Sequence, residues 1–304
     1  MKTISEELLA KRPNLAPNTV KTYSSILRNL YLRFLDGDSI PRKLNVENVV
    51  KFYRENTDKV LESMGDVPYN KRKTLLAAIL AILGKEDSSA TKYREQMLKD
   101  ADKYNAEQRK QKKTDTQKEN WISQEQVMEI YKQLEKDTRH LFSKVSLSQN
   151  ELQRLQDYVI LSVYTLIPPR RLVDYTAFKL REVNPQIDNY MKGNTFVFNN
   201  YKTKNKYGKQ EVKIPVRLRN IIQKWARKHS NDFLLFSEKG TPLPQSRLTQ
   251  KLNRIFGKNI SVNMLRHIFI SEKVLDAVPA LEKLEGIAED MGHSVDTQQL
   301  YKKL

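Results

Sequence analysis

The chain has 304 residues, 39% of them hydrophobic, too much apolar material for one small core and enough for two modest ones. Lys and Arg number 54 against 36 Asp and Glu, and the resulting net charge of +18 calls for a polyanionic partner, of which nucleic acid is the commonest. The absence of cysteine excludes disulfides, thiolate nucleophiles and cysteine-based zinc sites.

Four histidines (His140, His229, His267 and His293) lack the spacing of a helical metal site, and no glycine loop of the nucleotide-binding type occurs. The longest apolar run, 75–83, is far shorter than a membrane span, and the N-terminal MKTISEELLAKRP has no apolar signal core. An intracellular protein without metal, nucleotide or membrane partner is the expectation.

In chain order, Pro17, Asn18 and Thr19 offer a helix start for Val20, Tyr23, Ile26, Leu27, Leu30, Tyr31 and Phe34 at three-and-four spacing. Asn45 can cap a helix carrying Val46, Val49, Val50 and Tyr53, and a third helix over 71–83 stops at Gly84. Residues 1–104 are therefore expected to form a helical domain. Over 105–120 the apolar period vanishes into NAEQRKQKKTDTQKEN, a linker by composition. Its Arg109, Lys110, Lys112 and Lys113 suit either a flexible tether or a segment lying on DNA. A capping box at Ser123 and Gln126, preceded by Trp121 and Ile122, opens a second domain over 121–304.

This second part predicts a helix over 152–167, broken by Pro168 and Pro169, and another over 171–178. Strands at 195–198 and 211–214 flank a polar stretch with Gly208 as turn residue. Helices follow over 217–227, 246–255, 262–277 and around Gln298. The fold class is mainly α with a small antiparallel β-sheet (α+β).

Two arginines in this part stand out. Arg171 follows a helix break, and Asp174 three residues on can hold its guanidinium in one rotamer. Taken alone the pair reads more readily as a surface ion pair on a helix. Arg266 sits in an apolar helix beside Val262, Met264, Leu265, Ile268, Phe269 and Ile270, where a charge is costly unless it is paired, functional or snorkelling at the edge. His267 next to it reads as a packed, hydrogen-bonded histidine. Guanidinium groups suit phosphoryl chemistry because the planar fork reaches two nonbridging oxygens and cannot lose its proton.

The ordered set Arg171-Leu172-Val173-Asp174, Tyr201-Lys202-Thr203-Lys204, Asn263-Met264-Leu265-Arg266-His267 and Met291-Gly292-His293 through Tyr301 resembles the tyrosine recombinase (phage integrase) superfamily. The matches span the whole second part in order, and the helices from Thr19 to Tyr23 onward look like that family's helical, SAM-like core-binding domain. The Pro-Pro-Arg-Arg and Tyr-Lys-Thr variants look more like recombinases of eukaryotic viruses and mobile elements. The resemblance implies a site-specific DNA recombinase or integrase with no cofactor and no metal. Tyr301 would attack the scissile phosphate to give a 3′-phosphotyrosyl enzyme, with Arg171 and Arg266 clamping the nonbridging oxygens. Lys202 would protonate the leaving 5′-oxygen, with Lys204 and Lys206 as competitors and as DNA contacts, and His293 would hydrogen-bond the phosphate. The implied partner is double-stranded DNA with inverted half-sites, bound by a homodimer that assembles to a homotetramer.

Three departures from the family pattern are visible. Asn263 stands where the family has a histidine, and an amide cannot take a proton. Tyr301 follows His293 by eight positions, about one fewer than the pattern, and one residue rotates a helical side chain by ~100°. Only Lys302, Lys303 and Leu304 follow the tyrosine, so exchange of tails between subunits is expected to be curtailed. The readings that compete are a type IB topoisomerase and a non-catalytic DNA-binding protein on the same scaffold.

Overall fold

The computed structural model describes residues 2–35, 44–273 and 278–291. The chain divides into two compact units, Met1–Lys112 and Lys113–Leu304, each with its own apolar core.

The first unit is helical. It comprises α1 (Ile4–Lys11), α2 (Pro17–Leu32), α3 (Val46–Glu55), α4 (Thr57–Glu62), α5 (Tyr69–Leu83) and α6 (Ala90–Arg109). Proline at the first position starts α2, where its missing N–H costs nothing, and the Asn45 side chain accepts from the Glu47 N–H to cap α3. Gly84 ends α5 at φ +93°, a conformation that penalises a side chain. Composition did not announce α1, α4 or α6. Helix α6 is almost wholly polar and is held through Tyr93, whose hydroxyl donates to the Tyr53 carbonyl, and through Asp100, fully buried and gripped by both nitrogens of the Arg72 fork at 2.7 and 2.8 Å.

Much of the stretch 105–120, a linker by composition, is helical. Helix α6 runs through it to Arg109, and residues Asp115–Asn120 form α7, opened by a reciprocal capping box between Thr114 and Gln117. The local Thr-x-x-Gln signal outweighs the missing apolar period.

The second unit continues with α8 (Gln124–Thr138), capped as expected by Ser123 and Gln126, a 3-10 turn (Arg139–Ser143) and α9 (Gln149–Thr165). Helix α9 is buried continuously from Leu155 to Tyr164 and forms the axis of this unit. Its buried Gln156 amide donates to the Phe236 carbonyl and accepts from the Phe236 N–H, so a polar side chain is satisfied inside the core. After α10 (Leu172–Thr176) come β1 (Phe178–Lys179), β2 (Asn189–Lys192), β3 (Thr195–Phe198), α11 (Lys204–Tyr207) and β4 (Gln210–Lys213). Helices α12 (Val216–Ala226), α13 (Gln245–Phe256), α14 (Val262–Lys273) and α15 (Val278–Asp290) follow.

The sheet order is β1-β2-β3-β4. It is mixed, not purely antiparallel: β1 pairs with β2 in parallel, and the other two pairings are antiparallel. The segment 180–188 returns the chain to the end it left, which a parallel neighbour requires. Helix α10 stops short of the expected 178 because Phe178 is taken into β1, fully buried among the rings of Tyr175, Phe196 and Phe198 at 6.2, 5.0 and 6.0 Å. The helix expected over 262–277 is α14 as far as Lys273. Residues 274–277 and the helix expected around Gln298 lie outside the described residues, and α15 was not anticipated.

Candidate active site

The site begins where α9 stops. Pro168 and Pro169 cannot continue a helix, so the chain turns and re-enters helical geometry only at Leu172. Arg171 occupies the cap position with extended backbone (φ −67°, ψ 155°), and its carbonyl accepts from the Asp174 N–H at 3.1 Å. The expected pairing of Asp174 with the Arg171 guanidinium does not form. Asp174 instead accepts from Arg170 Nε at 2.8 Å.

Arg170 wins because more than the carboxylate holds it. Its NH2 nitrogen donates to Gln210 Oε1 on β4 at 2.9 Å, and its guanidinium lies over the Phe198 ring of β3 at 3.9 Å and near the Tyr201 ring at 5.6 Å. A planar cation with a fork on one edge and a ring beneath its face is placed in every direction. The Arg171 side chain, on a half-buried residue, makes no hydrogen bond or ion pair with another described residue.

Asp174 is 2% exposed, and its second oxygen, Oδ1, is buried without a hydrogen-bond partner among the described residues. Burial pushes its carboxyl above the usual range. Arg170 first, then Arg171 and Arg266, pull it back down without overcoming burial. The last contribution matters most for the site. Arg171 and Arg266, far apart in sequence, both lie close enough to one carboxylate to act on its charge. The neighbouring Tyr164 and Tyr175 hydroxyls are also buried without partners among the described residues, and burial drives both well above the ordinary phenol range.

Arg266 projects from α14, whose Val262, Met264, Leu265 and Ile268 enter the core. Asn263, Arg266 and His267 share the opposite face at three-and-four spacing; Arg266 is half-buried, and Asn263 and His267 are exposed. His267 is therefore exposed rather than packed, and its side chain makes no hydrogen bond among the described residues. The apolar positions of this helix already fill the core contact, which leaves position 267 facing outward.

Lys202, Lys204 and Lys206 are all exposed on the connection between β3 and β4, the latter two on α11. Two buried groups hold this connection. The Tyr201 hydroxyl donates to the Gly208 carbonyl at 2.6 Å, closing the loop across its neck. Asn189, 3% exposed, accepts from the N–H groups of Asn199 and Asn200 and donates to the carbonyls of Asn200 and Asp174. The lysine-bearing loop is thus tied through one saturated amide to the backbone of Asp174.

Arg109, Lys110, Lys112 and Lys113 are exposed, and Lys113 Nζ lies 3.8 Å from the centre of the Trp121 ring. His293 and Tyr301 lie outside the described residues. The charges of Arg171 and Arg266 thus both act on Asp174, and the root of the lysine loop is held to the same carboxylate through Arg170. Sequence reasoning missed Arg170 and Gln210. The i,i+4 spacing of Arg170 and Asp174 was a visible signal for the first; nothing local marked the second.

The chain matches no protein-family model, and no curated protein matches it. Among solved structures it aligns with a crystal structure of XerA recombinase at 16% identity, over 99% of this chain and 93% of the other. The TM-score of 0.29 is too low for that alignment to bear on fold or function.

Proposed function

We propose that this chain is a DNA strand-transfer enzyme, a site-specific recombinase or integrase that cuts and rejoins DNA through a 3′-phosphotyrosine at Tyr301. What supports this best is that Arg171 and Arg266, from separate boxes of the ordered motif set, are both near enough to Asp174 for their charges to lower its pKa.

On this reading the Tyr301 phenolate oxygen attacks phosphorus, the bond to the 5′-oxygen breaks, and that oxygen takes a proton from Lys202 or a neighbouring lysine of the loop. The pentavalent transition state carries extra negative charge on the nonbridging oxygens, which Arg171 and Arg266 would meet with fixed donors. Asp174, on whose charge both arginines act, would offset the repulsion between those two donors. A free phenol titrates near ~10, so the same positive field would help deprotonate Tyr301. His293 would add a hydrogen bond to the phosphate, and Asn263 would orient it without exchanging a proton. Rejoining is the reverse step with a new 5′-hydroxyl, so the phosphodiester energy is kept and no nucleotide is consumed.

Residues 1–104 would form the second DNA-holding domain. The exposed Arg109, Lys110, Lys112 and Lys113, with Lys204 and Lys206, would contact backbone phosphates. The partner would be duplex DNA with inverted half-sites, bound by a dimer and exchanged within a tetramer.

A nicked suicide duplex tests the reading. Wild type should form a covalent protein–DNA product that survives EDTA and is absent from Tyr301→Phe. Arg171→Ala and Arg266→Ala should abolish the product while DNA affinity changes little, because many other phosphates are contacted. No covalent product on any duplex would leave only a DNA-binding protein. Relaxation of supercoils without exchange between duplexes would point to a type IB topoisomerase.

A further inference from the structure

Two adjacent arginines follow the proline break, and their surroundings differ completely. Arg170 has a side chain only 19% exposed and contacts three separate elements: Asp174 on α10, Gln210 at the start of β4, and the Phe198 ring at the end of β3. Phe198 and Gln210 are the two residues that bound the connection carrying Lys202, Lys204 and Lys206, and they oppose each other in the β3–β4 register. One guanidinium therefore touches both limbs at the root of the lysine loop. Asn189 fixes the entry of that loop at 199–200 to the Asp174 carbonyl, and Arg170 fixes its exit at 210 to the Asp174 carboxylate.

We infer that Arg170 is a positioning residue: it locks the lysine-bearing loop to the turn that presents Arg171, and so sets where the proton donor stands relative to the phosphate clamp. This rests on the strand-transfer reading above. Lysine cannot replace it, because the role needs a fork that reaches Asp174 and Gln210 at once and a flat face for Phe198. It holds whichever of the three lysines gives the proton, since all three hang from the same root.

The chemistry provides a selective test. When the bond from phosphorus to the 5′-oxygen breaks, an alkoxide must be protonated as it leaves. A 5′-bridging sulfur leaves as a thiolate, whose acid titrates near ~8.5, and needs no proton donor. Single-turnover cleavage by the full chain is measured on nicked duplexes with oxygen or sulfur at that position. Arg170→Gln, Arg170→Lys and Gln210→Ala should slow cleavage of the oxygen substrate by roughly 10- to 100-fold, part of what a placed general acid contributes. All three should return to within about 3-fold of wild type on the sulfur substrate, with DNA affinity unchanged. Arg171→Ala should remain slow on both.

Gln210→Ala keeps the test decisive if the Arg170 variants fail to fold, because it cuts only the loop side of the link. Wild-type rates in Gln210→Ala, or equal slowing on both substrates, would overturn the inference. Failure of wild type itself to form a covalent product on either duplex would instead overturn the strand-transfer reading.

Discussion

Asp174→Ala removes a carboxylate on which Arg170, Arg171 and Arg266 all act, and its cost can be worked from the geometry. Asp174 is 2% exposed, the Arg170 side chain is 19% exposed, and the two meet at 2.8 Å. Breaking a buried ion pair from one side costs about 3–5 kcal/mol, because the surviving charge stays buried without its partner. The lower end applies here. Burial already works against the charged carboxyl, and Arg170 keeps Gln210 and the Phe198 ring. The expected loss is about 3 kcal/mol. Urea unfolding followed by tryptophan fluorescence reads this cleanly, since the only two tryptophans, Trp121 and Trp225, both lie in the second unit. The double replacement Arg170→Met with Asp174→Leu, which removes both charges, should come back to within about 1 kcal/mol of wild type. A loss under about 1 kcal/mol in Asp174→Ala, or a double variant less stable than the single one, would refute this account of the site.

In the first unit, Asp100→Ala strands the Arg72 guanidinium, whose remaining acceptors are the Met64 and Gly65 carbonyls; a loss of about 3 kcal/mol is expected, read by far-ultraviolet circular dichroism with tryptophan emission as the silent control. His229 is packed against both Trp225 and Phe236 with both ring nitrogens buried and unpartnered among the described residues, and burial, helped by Arg181, lowers its pKa to about 4. A depressed folded-state value means that the stability it confers is full above the unfolded value near ~6.5 and is lost as pH falls toward 4. Wild type should therefore lose about 1 kcal/mol more than His229→Phe between pH 7 and pH 5, a figure discounted for the ring's partial exposure, and equal losses in both proteins would count against it. Gly257 ends α13 in the left-handed region at φ +62° with open space around it, so Gly257→Ala should cost about 1 kcal/mol through backbone strain alone.

The sequence by itself determined those elements whose signals are local. Asn45, the Ser123–Gln126 box and Gly84 mark helix ends because capping bonds span only two to four residues, and β3 and β4 are legible from short apolar alternation around a turn glycine. That Arg171 and Arg266 act together on one phosphate was an expectation carried by the motif order alone. What tertiary structure alone decided is the division of labour between Arg170 and Arg171. Both neighbour Asp174 at helical spacing, and nothing within that turn chooses between them. The choice comes from a ring on β3 and an amide on β4, groups that reach the turn only after the sheet has formed. The outward position of His267, the parallel pairing of β1 and the burial of Asp100 in an otherwise polar helix have the same origin. Each depends on partners distant along the chain, and only folding brings those within hydrogen-bonding or van der Waals range.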